Sequence, residues 1–208
     1  MTVVINKREV LDFNRTLKPL LIEEIRQYQI QYGNETETEQ ILGFLATADN
    51  LFGRDSVTGH ITCGAWILDP TLTKVILVRH RRLDRWIQPG GHIEPLETPF
   101  AGALREAVEE TGIEQLIPWK EELFNLSVHL FPEGKDGSAH FHYDFRYLFF
   151  APSDSELRAA DETDGVAWVS LEQIQAYTDE ATILGMAAKT RQLIDQGMLS
   201  YPKDGPGE

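Results

Sequence analysis

The residues best suited to chemistry lie between positions 91 and 113, where three glutamates follow a Pro-Gly-Gly loop. Glu106, Glu109 and Glu110 are spaced i, i+3 and i+4, which places their carboxylates on one face of a helix. The mutual repulsion of three carboxylates falls sharply if a cation lies among them, and oxygen ligands of this kind suit Mg²⁺ or Mn²⁺. The alternative is a solvated acidic helix face. The preceding glycine loop and the adjacent Arg105 favour the metal site.

The same stretch resembles the Nudix box at every position that the motif defines. The matching residues are Gly91, Glu97, Arg105, Glu106, Ala107, Glu109, Glu110, Gly112 and Ile113. The wider resemblance covers residues 57–180, and it implies an α/β fold of the Nudix type, an α/β/α sandwich with a mixed β-sheet. The implied activity is metal-dependent hydrolysis of a nucleoside diphosphate linked to another moiety, with Mg²⁺ or Mn²⁺ as cofactor.

The resemblance also implies a role for each residue of the box. It assigns metal binding and water activation to Glu106, Glu109 and Glu110, with the backbone carbonyl of Gly91 or Gly90 as a further metal ligand. Arg105 matches one half of a pair that braces the loop against the helix. The other residues with a structural part in the motif are Gly90, Glu97 (the partner of Arg105) and Gly112.

The general base has more than one candidate. Glu109 is the first candidate, because a carboxylate beside bound cations can accept a proton from water. Glu162 and Asp164, in the loop of residues 161–165, are the alternatives. The sequence does not choose between them.

The segment of residues 56–90 carries five basic and two acidic residues in a chain whose net charge is -14. Four of the five arginines and lysines lie within seven residues directly before the Gly-Gly loop. Guanidinium groups at such a place attract and orient phosphate oxygens, so we expect Arg79, Arg81 and Arg85 to bind substrate. The alternative is a polar hairpin turn whose arginines only solvate it.

A second polar set follows strand spacing, because His140, His142, Asp144 and Arg146 alternate with aromatic residues. His129 lies across the predicted hairpin, and His92 follows Gly91, so four of the six histidines are expected to converge. Three functions stay open for this set: lining the substrate pocket, binding an extra transition metal, or a structural role. The remaining histidines, His60 and His80, are expected to be incidental.

Periodicity places helices and strands around these residues. A helix over residues 9–32 is expected to split at Pro19 and to stop at Gly33, and Thr36 with Glu39 resembles a capping box that opens a second helix. Further helices are predicted over 98–111, 171–177 and 182–196. The predicted strands cover residues 60–68, 74–79, 86–89, 123–131, 139–150 and 166–169.

The composition excludes some classes of protein. Net acidity argues against long nucleic acids, which need clustered Lys and Arg. Cys63 is the single cysteine, which excludes an intramolecular disulfide and favours a packed hydrophobe over a catalytic thiol. No apolar run is long enough to span a bilayer and no signal-peptide core is present, so we expect a cytoplasmic protein that is not bound to membranes.

Three segments are expected along the chain: a helical extension over residues 1–55, a Nudix hydrolase domain over 56–200, and a disordered tail over 201–208. The extension is too small for a confident independent domain. We expect it to pack on the main domain or on a second copy of the chain, which would form a homodimer.

The favoured function is therefore a pyrophosphohydrolase acting on a nucleoside triphosphate, a nucleotide sugar or a similar small diphosphate. The alternative is a nucleotide-sensing module that binds without turnover. An RNA-end processing enzyme is a weaker third hypothesis, because the chain offers no long basic track. Most of the residues outside the box that distinguish Nudix subfamilies are missing from this sequence. Val128, for example, occupies the position where ADP-ribose hydrolases often have proline.

Overall fold

A computed structural model describes residues 6–54, 56, 58–131, 133, 138–152, 155–160 and 163–202. The helices are α1 (Lys7–Tyr32), α2 (Thr36–Thr47), α3 (Pro99–Thr111) and α4 (Ala181–Asp195), with a 3₁₀ turn at Ile174–Ala176. The strands are β1 (Gly59–Leu68), β2 (Lys74–His80), β3 (Arg85–Ile87), β4 (Gly90–His92), β5 (Ile117–Phe131), β6 (His140–Phe150) and β7 (Thr163–Ser170). The predicted α/β class is confirmed.

The strands form a seven-stranded sheet in the order β3-β2-β1-β6-β5, with β4 paired to β1 and β7 paired to β2. All ten residues of β1 are buried, so this strand has no solvent-facing side. The register of β2 against β7 runs antiparallel from Lys74↔Ser170 to Val78↔Val166, with a β-bulge before His80. Strand β7 is therefore longer than the predicted strand of residues 166–169.

The chain divides into two compact units. The first consists of Met1–Cys63, Gly91–Gly102 and Glu122–Arg146, and the second of Gly64–Gly90, Ala103–Glu121 and Tyr147–Glu208. This division differs from the segments expected from the sequence, whose boundaries stay predictions. Residues 203–208, most of the predicted tail, lie outside the described residues.

In the first unit, helix α1 is continuous through Pro19, so the predicted split is wrong. Proline removes the hydrogen bond to the Arg15 carbonyl, and both Arg15 and Pro19 lie on the exposed side of the helix. The helix is held by a buried stripe that supplies more stabilisation than one such bond. That stripe contains Leu17, Leu21, Ile25 and Tyr28.

The capping box predicted at Thr36 and Glu39 is also wrong. Helix α2 already begins at Thr36, its N-cap is Glu35, and no side chain caps it. A genuine capping box opens α1 instead: the Asn6 side chain accepts from the Glu9 N–H, and the Glu9 carboxylate accepts from the Asn6 N–H. The two helices are joined by a hydrogen bond from Gln29 to Thr38 of 2.9 Å.

In the second unit, apolar residues from β1, β2 and α4 form the core. Trp66 is fully buried, and its indole N–H donates to the hydroxyl of Thr190 on α4 at 2.9 Å. This bond satisfies the one polar atom of a large buried side chain, which fixes the helix at that point. No described helix is long and apolar enough to cross a membrane.

Candidate active site

Helix α3 carries the three carboxylates and begins at a proline. The hydroxyl of Thr98 accepts from the Ala101 N–H at 3.2 Å, which is the hydrogen bond of a helix cap. Pro99 suits the first helical position because its missing N–H has no partner there. The helix ends at Thr111, and Gly112 follows with φ +73°, a conformation that favours glycine.

Glu106, Glu109 and Glu110 differ in accessibility. The side chain of Glu109 is 57% exposed, that of Glu106 is 16% exposed, and Glu110 is buried. One nitrogen of Arg105, Nη1, donates to Glu106 at 2.8 Å and to Glu109 at 3.1 Å. The helix therefore places positive charge between the carboxylates of Glu106 and Glu109, and Glu109 is the member of the three that water reaches most readily.

Glu110 connects the helix to the glycine loop. Its Oε2 accepts a hydrogen bond from the backbone N–H of Gly90 at 2.9 Å. The neighbouring Gly91 accepts at its carbonyl from the Cys63 thiol at 3.5 Å. Cys63 is buried, as expected of a packed side chain. The Gly91 carbonyl as a metal ligand stays a prediction.

Glu97 lies in the loop before α3. Its Oε2 accepts from the Glu94 N–H at 2.9 Å. A Cβ added at Gly102 would lie 3.1 Å from this same carboxylate oxygen and 2.9 Å from the Cys63 sulfur, so no larger residue fits there without movement. The brace between Glu97 and Arg105 stays a prediction.

The predicted phosphate-binding arginines all form ion pairs on the surface. Their partners are Asp84 for Arg79, Asp164 for Arg81 and Glu180 for Arg85. These guanidinium groups are 47–59% exposed, and ion pairs at that exposure contribute little free energy. A phosphate group can therefore replace the carboxylates at small cost.

Two of these arginines line a cavity of about 450 Å³. Arg79 and Arg85 share its wall with Trp86 and Tyr177, whose rings pack edge to face at 5.6 Å. The cavity thus combines cationic groups with aromatic surface. Of the two alternative bases, Asp164 accepts from Arg81 at 2.8 Å and Glu162 lies outside the described residues.

Five histidines come together in the first unit, and we call them the histidine cluster: His60, His92, His129, His140 and His142. The ring centroids of His92, His140 and His142 lie 5.1, 5.0 and 4.8 Å from that of His60, and His129 lies 5.4 Å from His142. The expectation that His60 is incidental is wrong, because it occupies the centre of the cluster. A sequence signal existed: His60 and Thr62 alternate along an otherwise apolar strand, as His140, His142 and Asp144 do.

Burial keeps the central imidazoles neutral. Burial and the neighbouring His92 and His140 lower the pKa of His60 to about 4. Burial and Arg54 lower the pKa of His92 to about 4, and burial lowers that of His142 to about 3 despite the nearby Asp144 carboxylate. A neutral imidazole has one nitrogen with a lone pair and one with a proton.

Asp144 is held by a buried ion pair. Its Oδ2 accepts from Arg146 at 2.5 Å and from Ser127 at 3.4 Å, and its Oδ1 accepts from Thr62. Burial raises the pKa of Asp144, but Arg146, His129 and Thr62 outweigh that effect, so the pKa lies below its ordinary value. Arg146, a member of the polar set predicted on this strand, is thus the partner that keeps this carboxylate ionised.

Comparisons with known proteins identify the family and the fold. The family model described as NUDIX domain matches residues 58–188, more than half of the chain, so the chain belongs to the NUDIX domain family. A NUDIX family hydrolase from Clostridium perfringens has a crystal structure that aligns with a TM-score of 0.52 at 25% identity, covering 65% of this chain and 97% of that one. The predicted Nudix fold is confirmed.

Curated relatives match over shorter stretches. "Putative mutator protein MutT4" of Mycobacterium tuberculosis (strain CDC 1551 / Oshkosh) is 33% identical over 135 residues, which are 60% of this chain and 49% of that protein. "Putative 8-oxo-dGTP diphosphatase" of Bacillus subtilis (strain 168) is 30% identical over 99 residues, covering 47% of this chain and 58% of that protein. The chain spans about half the length of the curated relatives it matches.

Proposed function

We propose that this protein is a pyrophosphohydrolase that cleaves the diphosphate linkage of a small nucleotide. The observation that carries the proposal is the helical spacing of Glu106, Glu109 and Glu110 on α3, where a single guanidinium donates to Glu106 and Glu109. Membership of the NUDIX domain family supports it. A nucleoside triphosphate is the first substrate class to test, because one relative is named for the hydrolysis of 8-oxo-dGTP.

The donor set fits a hard divalent cation. All three side chains offer carboxylate oxygens, and Arg105 Nη1 lies within 3.1 Å of two of them, which shows that positive charge is stabilised at this place. Glu106, Glu109 and Glu110 would hold Mg²⁺ or Mn²⁺, with the Gly91 carbonyl as a further ligand. A bound cation supplies electrostatic stabilisation of the phosphate oxygens and lowers the pKa of a water molecule.

Side chains of α3 also take part in proton transfer, in positioning the carboxylates and in fixing the glycine loop. Glu109, the most exposed of the three, accepts the proton of the attacking water. Arg105 positions Glu106 and Glu109 by donating to both. Glu110 fixes the glycine loop through the Gly90 N–H, so that the backbone of the loop stays in place when substrate binds.

Arg79, Arg81 and Arg85 bind the phosphate groups of the substrate in this proposal. Asp84 and Asp164, the carboxylate partners of Arg79 and Arg81, are exposed enough to be exchanged for phosphate oxygens. The aromatic rings of Trp86 and Tyr177 in the adjoining cavity offer a stacking surface for a base. A homodimer formed through the N-terminal helices stays a prediction.

A substrate panel tests the proposal directly. Purified full-length protein is incubated with nucleoside triphosphates, nucleotide sugars and dinucleotides, with Mg²⁺, with Mn²⁺ and with excess chelator. Products are identified by mass in ¹⁸O-labelled water, which shows the phosphorus that is attacked. We expect cleavage of a diphosphate bond that chelator abolishes. Binding without cleavage of any substrate would overturn the enzymatic proposal and favour a sensing module.

A further inference from the structure

His60 is the most unusual member of the histidine cluster. It is 1% exposed, and neither of its ring nitrogens has a hydrogen-bond partner among the described residues. A buried imidazole that makes no hydrogen bond loses the solvation of both nitrogens, and native proteins rarely leave such groups unsatisfied. The environment of His60 therefore points to a bound group that accepts the electron pair of one of its ring nitrogens.

His140 and His142 present their Nε2 atoms to the same place. The two Nε2 atoms are 3.2 Å apart, and the Nδ1 of His140 lies 2.8 Å from the Ser138 carbonyl oxygen. That carbonyl can only accept, so Nδ1 carries the proton and the lone pair of His140 lies on Nε2. A histidine whose outer nitrogen donates to a backbone carbonyl has the orientation typical of a metal ligand.

The spacing of the ring nitrogens of His60, His140 and His142 suits a single metal ion. One ring nitrogen from each of His60, His140 and His142 lies within 4.8 Å of the others. Bonds of about 2.0–2.1 Å to a tetrahedral zinc ion separate two ligand nitrogens by about 3.3 Å, close to the observed distance between His140 and His142. A small movement of His60 completes the triad.

The chemistry of the donors excludes the hard cations proposed for α3. Imidazole nitrogens suit zinc, copper and nickel, whereas Mg²⁺ requires oxygen ligands. The carboxylate of Asp144, which lies 3.5 Å from His129 of the cluster, is engaged by Arg146 and Thr62. Phe131 stacks on His142 at 4.7 Å, which gives one side of the triad an apolar wall.

We infer that His60, His140 and His142 form a transition-metal site, with Zn²⁺ as the expected occupant. The site is separate in residues and in chemistry from the three glutamates of α3. A fourth position stays available for water or for a neighbouring group such as His92, whose ring lies 5.1 Å from that of His60. The inference does not depend on the proposed hydrolase activity.

The test uses the full chain, stripped with chelator, dialysed and supplied with millimolar Mg²⁺. Zn²⁺ is titrated by calorimetry, and Co²⁺ is titrated by visible absorption, where a tetrahedral nitrogen site gives intense d–d bands. We expect one equivalent of Zn²⁺ per chain, an increase in Tm with Zn²⁺, and a tetrahedral Co²⁺ spectrum. Absence of stoichiometric binding under these conditions overturns the inference.

Four variants locate the ion. His140→Gln, at a half-buried position, and His60→Phe should each weaken Zn²⁺ binding by at least the roughly 10–100-fold typical of a disturbed metal site. His80→Gln removes a histidine outside the cluster and Glu109→Gln removes a carboxylate of α3, and both should bind Zn²⁺ like the unaltered chain. Unchanged binding by His140→Gln, or loss of binding in Glu109→Gln, contradicts the assignment. Both measurements report binding, so an inactive hydrolase would leave them interpretable.

Discussion

The buried carboxylate of Glu110 accepts a hydrogen bond from the backbone N–H of Gly90 at 2.9 Å. One side chain thus has two roles in the candidate site, because the same carboxylate belongs to the proposed cation-binding set and holds the glycine loop. An amide side chain can replace the second role but not the first, since it keeps an oxygen acceptor and loses the negative charge.

Glu110→Gln and Glu110→Ala should therefore separate the two roles. We expect Glu110→Gln to keep most of its stability while losing affinity for Mg²⁺. Glu110→Ala should in addition lower the free energy of unfolding by about 1.5–3 kcal/mol, the usual contribution of a hydrogen bond to a charged group. Denaturant unfolding and the Mg²⁺ dependence of turnover check the two effects. Equal stability of both variants would mean that the bond to Gly90 contributes nothing.

Glu109→Gln tests the general base. The side chain is 57% exposed, so the substitution should leave the fold intact while turnover falls by roughly 10²–10⁴-fold, as expected for loss of a general base. Glu121→Gln, on an exposed position of β5, is a matched control that removes one charge elsewhere and should keep full activity. A normal rate in Glu109→Gln would transfer the role to another carboxylate, with Asp164 next to test.

Arg85→Gln tests phosphate binding by the basic segment. Arg85 is 57% exposed in its ion pair with Glu180, so the free energy of unfolding should change by less than about 1 kcal/mol. The KM for a cleaved nucleotide should rise about tenfold with little change in kcat, because uniform binding is lost. Arg15→Gln, an exposed arginine of α1 paired with Asp12, provides the charge-matched control. An unchanged KM would assign Arg85 to the surface alone.

Asp144 and Arg146 form the buried ion pair of the first unit, with exposures of 7% and 4%. Removal of one partner leaves the other charge buried without compensation, so Asp144→Asn should cost about 3–5 kcal/mol of unfolding free energy. Glu156→Gln removes one partner of the exposed pair with Arg158 and should cost almost nothing. Urea unfolding of both variants gives the comparison, and similar costs for the two would refute the distinction.

The sequence predicted the box helix and most strands because their evidence is local: carboxylates spaced at 3 and 4 residues, and alternation at 2. His60 was missed because its partners are remote in sequence. Only pairing of β1 within the sheet brings His60 beside His140 and His142. The partners of Arg146 were missed for the same reason, since its contacts with Asn125 and Ser127 on β5 depend on strand register.

Pro19 shows the opposite failure, in which a strong local rule was overridden. Proline inside a helix costs about 3 kcal/mol relative to alanine, yet α1 continues through it because Leu17 and Leu21 are buried on either side.

Pro19→Ala should restore the hydrogen bond to the Arg15 carbonyl, although the more flexible unfolded chain offsets about 0.4–1 kcal/mol of the gain. We expect a net increase of about 2 kcal/mol in the free energy of unfolding, measured in urea. Gly43→Ala in α2 is the reference, because an added Cβ meets nothing within 4 Å and the gain should be about 1 kcal/mol from helix propensity alone. If Pro19→Ala stabilises the protein no more than Gly43→Ala, the lost hydrogen bond carries no measurable cost and water at the Arg15 carbonyl replaces it fully.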